Sequence, residues 1–286
     1  MPLLPIRDVQ LNVEVMGMGP PIVLMHGGPG ADLWTMLPFR RLADRFTLVF
    51  YDHRCNGRSV GAPVETMTWE NLTADADALR EALGYERWTV LGHSFGGKVA
   101  LEYALRHPDR VERLILVNSG GDSRWPQDNA AKLLEARGYD PKLVRLTRRF
   151  FNGRIAPREY LPALWRLGDA YHHDYPLHRM LRDLMAGEWH SRPRAEPLIW
   201  AGQHLLSGWS VMNRLGEIRA PTLLIAGRED FLFPPEHQEG LAAGIPDARL
   251  VLVDGAAHNP QSERPDEVMD AIRAFLPTRA SVGSTR

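Results

Sequence analysis

The chain has 286 residues, 44% of them hydrophobic, enough apolar side chain for one large domain or a domain carrying an insertion. Its 34 basic and 35 acidic residues leave a net charge of −1, which argues against a nucleic-acid-binding protein. The single cysteine, Cys55, excludes an intrachain disulfide and a cysteine metal cluster, and the absence of a basic leader or a long apolar run predicts a cytoplasmic protein with no membrane span.

In chain order, residues 9–15 alternate apolar and polar, predicting a half-buried antiparallel edge strand. The apolar run 21–25 predicts a strand buried on both faces, and it leads into His26-Gly27-Gly28-Pro29-Gly30. A helix is predicted over 34–42 and a second buried strand over 46–51, ending in Asp52-His53-Arg54-Cys55-Asn56-Gly57-Arg58-Ser59. Thr68 is the expected N-cap of a helix through Leu83, with Gly84 ending it. A strand over 88–91 then enters Gly92-His93-Ser94-Phe95-Gly96-Gly97, followed by a helix over 98–106 and a strand over 114–117.

Strands alternating with helices predict an α/β fold built on a mostly parallel, doubly wound sheet. The alternation stops near Asp122 and resumes with strands at 221–227 and 249–253. Residues 1–121 and 220–279 therefore read as one core, and 122–219 as an inserted helical lid over the carboxyl ends of the strands. Residues 280–286 read as a flexible tail. The lid is rich in aromatic residues, including Trp125, Tyr171, Tyr175, Trp189 and Trp209, some of which are expected to line an apolar pocket.

Gly92-His93-Ser94-Phe95-Gly96 fits the G-x-S-x-G turn that holds a serine between strand and helix, with its Oγ exposed at a helix N-terminus. A serine hydroxyl is a weak nucleophile and needs a base, usually histidine, whose tautomer is fixed by an acid. Gly227-Arg228-Glu229-Asp230 and Gly255-Ala256-Ala257-His258 each follow a predicted strand, in the chain order Ser, acid, His. The expected catalytic residues are Ser94, Asp230 and His258, with Glu229 as the rival acid. The N–H of Phe95, next after the serine, and that of Gly28 are the expected oxyanion donors.

Together these residues resemble the α/β-hydrolase superfamily over nearly the whole chain. The resemblance implies the α/β-hydrolase fold, the lid and the absence of a cofactor. The His26–Gly30 and Asp52–Ser59 segments are similar to the proline iminopeptidase branch, which releases an N-terminal residue from small peptides. The elbow Gly-His-Ser-Phe-Gly-Gly, however, is closer to esterases and carbon–carbon hydrolases. Cys55-Asn56-Gly57 replaces the branch's Gly-x-Gly, and Phe231 stands where some members carry an amine-binding glutamate. Glu196 falls near the branch's other amine-binding glutamate.

An exopeptidase must pair its substrate's ammonium with a carboxylate in a partly dry pocket. Candidate lid acids are Asp169, Asp174, Asp183, Glu188 and Glu196; the lid histidines His172, His173, His178 and His190 lack a metal-binding motif, and no metal is expected. Glu196, Trp189 and Phe231 are the candidate substrate-binding residues. The expected function is hydrolysis of an ester or amide of a small molecule or short peptide through an acyl-enzyme, by an aminopeptidase or by a carboxylesterase or lactonase. Carbon–carbon bond hydrolysis and a ligand-receptor role are the alternatives. Dehalogenase and epoxide hydrolase chemistry is disfavoured, because those relatives place an aspartate at the position of Ser94.

Overall fold

A computed structural model of the chain describes residues 3–173 and 191–277. Tyr175, Asp174, His178, Asp183, Glu188, Trp189 and His190 lie outside the described residues. Eight strands form one sheet: β1 (Leu3–Ile6), β2 (Val9–Met16), β3 (Pro21–Met25), β4 (Thr47–Tyr51), β5 (Trp88–His93), β6 (Val111–Val117), β7 (Thr222–Gly227) and β8 (Ala248–Val253). Their order is β1-β2-β4-β3-β5-β6-β7-β8. β1 and β2 pair antiparallel, β2 runs antiparallel to β4, and all remaining pairs are parallel.

The unbroken apolar runs follow from burial on both faces. On β3, Val23 and Met25 face a layer that includes Leu72, Leu79, Val99 and Leu101. Those side chains come from α1 (Trp69–Ala82) and α2 (Phe95–Arg106). Ile22 and Leu24 face the opposite layer, with Met36, Phe39, Val268 and Ile272. As expected, Thr68 caps α1, its side chain accepting from the Asn71 N–H, and Gly84 follows the helix with φ +77°.

Two local expectations are corrected. β2 is not the edge strand: residues 3–6 turn back through Arg7 and Asp8 and pair outside it, with Pro5 tolerated on the open edge because no neighbour needs its missing N–H. The helix predicted over 34–42 is a 3-10 segment, Leu33–Leu42. Pro38 lies inside it and cannot donate to an i−4 carbonyl.

Between β6 and β7 the described residues hold helices and turns, with one isolated β-bridge, Asp122 to Ser210. The helices are α3 (Ala130–Ala136), α4 (Pro141–Phe151), α5 (Tyr160–Tyr171) and α6 (Ala195–Trp200). After β7 come α7 (Pro235–Gly244) and, after β8, α8 (Pro265–Phe275). Among the described residues no helix is long and apolar enough to cross a membrane.

The chain leaves β3 towards β4 on one side, and steps from β5 to β6, β7 and β8 on the other. The crossover directions therefore part between β3 and β5. In open α/β sheets that parting opens a crevice at the carboxyl ends of the strands. Gly28 follows β3 and Ser94 follows β5, so both stand at its mouth.

Candidate active site

Ser94 sits between β5 and α2 with φ 52° and ψ −117°, a conformation that costs a non-glycine residue free energy and persists only where its surroundings impose it. Here the Ser94 N–H donates to the Val117 carbonyl at 3.0 Å, and the Ser119 hydroxyl donates to the Ser94 carbonyl at 2.7 Å. The turn also requires glycine at position 96, where an added Cβ would meet the Met25 carbonyl oxygen 1.9 Å away. That close approach brings the N-terminus of α2 against the end of β3.

His258 Nε2 lies 3.0 Å from Ser94 Oγ, and His258 Nδ1 lies 3.0 Å from Asp230 Oδ2. An ionised carboxylate only accepts, so Nδ1 carries the hydrogen and Nε2 is left to accept from the serine hydroxyl. Burial alone would raise the Asp230 carboxyl. The His258 ring and its hydrogen bond, with donation from the Leu232 N–H and Asn118 Nδ2, outweigh that and hold it below the usual carboxylate range. A hydroxyl facing an imidazole that is fixed by a buried carboxylate is the geometry general-base activation requires.

His258 is held from several sides. The His258 N–H donates to the Tyr171 carbonyl at 3.1 Å, and the Tyr171 ring stands edge-on to the imidazole. Glu263 accepts the Ala257 N–H at 3.0 Å and, with its other oxygen, the His173 N–H at 2.7 Å. Glu229, the rival acid, accepts the Ala256 N–H at 3.1 Å, so it braces the histidine loop from outside the Ser–His–Asp chain of contacts. His93, buried beneath, donates from Nε2 to the His258 carbonyl at 3.1 Å.

The Gly27 N–H is committed to Thr35 Oγ1 at 3.1 Å. Among the described residues the N–H groups of Gly28 and Phe95 have no acceptor, and both residues line the cleft that contains Ser94. Gly28 has φ +116°, a backbone that side-chain-bearing residues avoid. The loop is pinned by Asn56, whose Oδ1 accepts the Gly30 N–H at 2.7 Å. Asp32 ties it to the stretch after the undescribed residues, accepting from the Ser191 hydroxyl at 2.8 Å and the Arg192 N–H at 2.6 Å.

The cleft is otherwise walled by Pro29, Lys98, Pro126, Phe151, Leu198, Gly202, Leu206, Leu232 and Phe233. Phe231 is not among them. It is fully buried, edge-on to Tyr171 with ring centroids 5.5 Å apart, while its neighbours Leu232 and Phe233 reach the cleft. Glu196 is exposed in the first turn of α6, and Leu198 of that helix is the residue facing the cleft. Asp169 and His173 are also exposed, and His172 bonds to the Gly168 carbonyl at 3.1 Å. Two contributors escaped the sequence reading. Asn118 is a lone amide after a strand; Lys98 is one of three lysines, all of them on helices.

A mostly parallel sheet wrapped by helices on both faces, with a strained serine after its central strand and acidic and histidine-bearing loops after its last two, defines an α/β hydrolase. The chain belongs to the alpha/beta hydrolase fold family, whose model matches residues 20–265. It is 30% identical over 278 residues to RutD of Rhizobium rhizogenes, a proposed carbamate hydrolase by name, covering 95% of this chain and all of that one. It is 28% identical to the 2-hydroxy-6-oxo-6-phenylhexa-2,4-dienoate hydrolase of Comamonas testosteroni, over 96% of this chain and 93% of that one. It is similar to the crystal structure of proline iminopeptidase from Mycobacterium smegmatis, with TM-score 0.74, 27% identity and 95% of each chain covered.

Proposed function

We propose that this chain is a serine hydrolase that cleaves a small ester or lactone through an acyl-enzyme. Ser94 Oγ attacks the carbonyl carbon while His258 Nε2 takes its proton, and Asp230 holds the imidazole in the tautomer that allows this. The developing oxyanion is met by the N–H groups of Gly28 and Phe95. His258 then protonates the leaving group, and water, activated by the same imidazole, releases the acyl group. Residues 122–219 act as the lid. The observation that carries the reading is the pair of 3.0 Å contacts that His258 makes with Ser94 Oγ and Asp230 Oδ2.

The site chemistry favours an ester or lactone over a peptide with a free N-terminus. The described wall of the cleft offers a substrate ammonium no carboxylate, and it contains the Lys98 side chain, which would repel one. Phe231 and the exposed Glu196 do not supply the missing acid. A second reading, hydrolysis of a carbon–carbon bond by the same three residues, is supported by the similarity to the Comamonas enzyme.

The test is a paired assay of wild type and Ser94→Ala on p-nitrophenyl esters, proline and alanine p-nitroanilides, and a dienone ring-cleavage product. Ser94-dependent ester turnover supports the first reading. Anilide turnover replaces it with an aminopeptidase, and turnover of the dienone alone with the carbon–carbon reading. No Ser94-dependent turnover of any of them defeats the hydrolase reading.

A further inference from the structure

Lys98 lies one helical turn after Ser94 on α2, about 6 Å along the helix axis. Its side chain is 2% exposed, yet it lines the same cleft as Ser94, Gly28 and Phe95. Its Nζ donates to the Asp122 carbonyl oxygen at 2.5 Å and stands over the rings of Trp209 and Phe233, 4.6 and 5.0 Å from their centroids.

What the ammonium lacks is an anion. Among the described residues no carboxylate oxygen lies within 4.0 Å of Nζ; the acids of its neighbourhood are engaged elsewhere. The Asp122 carboxylate is held by Arg124 at 3.0 Å, and Glu102 accepts from Trp209 Nε1 at 2.7 Å and from Arg106 at 3.1 Å. Burial accordingly pushes the Lys98 ammonium down to about 7, against the pull of Asp122. A buried cation with a carbonyl and two ring faces for company is under-compensated, and an anion brought by a ligand removes that cost. The neighbouring walls are apolar, from Phe151, Leu198, Leu206 and Leu232, so they supply shape but no competing charge.

We propose that Lys98 is a specificity-determining group of the Ser94 site, selecting substrates whose acyl portion carries a carboxylate a few bonds from the scissile carbonyl. The proposal rests on the serine-hydrolase reading above and names its substrate class. The catalytic steps do not otherwise use this side chain. Trp209 and Phe233 frame the ammonium and exclude water from the pair it forms.

Two five-carbon esters test it: p-nitrophenyl pentanoate, which is neutral, and mono-p-nitrophenyl glutarate, which ends in a carboxylate. The readout is the ratio of their kcat/KM values, glutarate over pentanoate. Wild type is expected to give a ratio of about ten or more, and Lys98→Met to lower it at least about tenfold through the KM of the anionic ester, with Lys98→Arg retaining part of the preference. A structural role alone would move both esters together and leave the ratio unchanged, which overturns the proposal. So does a wild-type ratio at or below unity, whatever the variants do. Lys98→Gln replaces Lys98→Met if the latter does not fold. If neither ester shows Ser94-dependent turnover, the ester-hydrolase reading fails, and titration calorimetry of monomethyl glutarate into Ser94→Ala protein decides the anion site separately. Binding that disappears with Lys98→Met added supports the site; no binding, or binding indifferent to Lys98, overturns it.

Discussion

Asn118 Nδ2 donates to Asp230 Oδ2 at 2.7 Å, on the same oxygen that accepts from His258 Nδ1 at 3.0 Å. The amide also donates to the Ala257 carbonyl at 2.9 Å and accepts the Gly227 N–H at 2.9 Å. One buried side chain at the end of β6 thus ties together the end of β7 and the loops carrying Asp230 and His258.

Asn118→Ala removes these contacts and leaves Gly227 N–H and one face of Asp230 unsatisfied. The expected costs are about 1–3 kcal/mol of stability and roughly tenfold or more in kcat. Urea unfolding and steady-state kinetics at pH 8 check both. An unchanged kcat would mean that Asp230 keeps its place without the amide.

Asp230→Asn preserves the volume but presents an amide to His258 and to Asn118 Nδ2. The imidazole then loses the partner that keeps hydrogen on Nδ1, and kcat is expected to fall about 10⁴-fold with little change in secondary structure. The comparison variant is Glu229→Gln; among the described residues the Glu229 carboxylate accepts only the Ala256 N–H, and a smaller loss is expected there. A larger loss in Glu229→Gln than in Asp230→Asn would reverse the assignment of the acid.

His93 carries a pH dependence of stability. Burial, followed by the nearby His258, pushes its imidazole down to about 3. The folded chain therefore keeps it neutral at pH values where the unfolded chain, with an ordinary imidazole near 6.5, binds a proton. Its contribution is complete above about pH 6.5 and is lost as the pH falls towards 3. The slope is about 1.4 kcal/mol per pH unit, or about 2 kcal/mol between pH 6.5 and 5. Urea titrations at pH 7, 6 and 5 should give a shallower decline for His93→Asn than for wild type. Parallel declines would falsify the assignment to this residue.

Gly96→Ala places a Cβ 1.9 Å from the Met25 carbonyl oxygen and 2.6 Å from that of His26. Both atoms belong to backbone at the end of a central strand and cannot swing aside as a side chain tip would. A loss of about 3 kcal/mol or more is expected, with activity falling as the elbow shifts. Gly168→Ala in α5 is the contrast: nothing lies within 4 Å of the added Cβ, and a helix interior gains about 0.5–1 kcal/mol from the change. Differential scanning calorimetry of the two variants should move the melting temperature in opposite directions.

Local pattern carried much of this architecture. The runs over 21–25 and 46–51 read as buried strands because both faces of β3 and β4 are covered, and Thr68 and Gly84 marked the two ends of α1 through capping chemistry confined to neighbouring residues. The order of Ser94, Asp230 and His258 was visible because each follows a strand at the same edge of the sheet. Other features depend on partners distant in sequence. Residues 3–6 become a strand only through pairing with β2, so their short apolar run carried little signal. Asn118 acquires its meaning when the ends of β6, β7 and β8 meet. Phe231 faces Tyr171 rather than the cleft, and Glu196 is exposed, because both placements depend on tertiary packing between the loop after β7 and the described helices between β6 and β7. Lys98 looked like an ordinary helical lysine until Trp209 and Phe233 closed over it.

The most direct test of the account is covalent labelling. Wild type treated with a fluorophosphonate should gain one adduct in intact mass, located by peptide mapping to the segment containing Ser94. Labelling should vanish in Ser94→Ala and slow by orders of magnitude in His258→Ala. An adduct on any other residue, or none on folded wild-type protein, would contradict Ser94 as a nucleophile activated by His258.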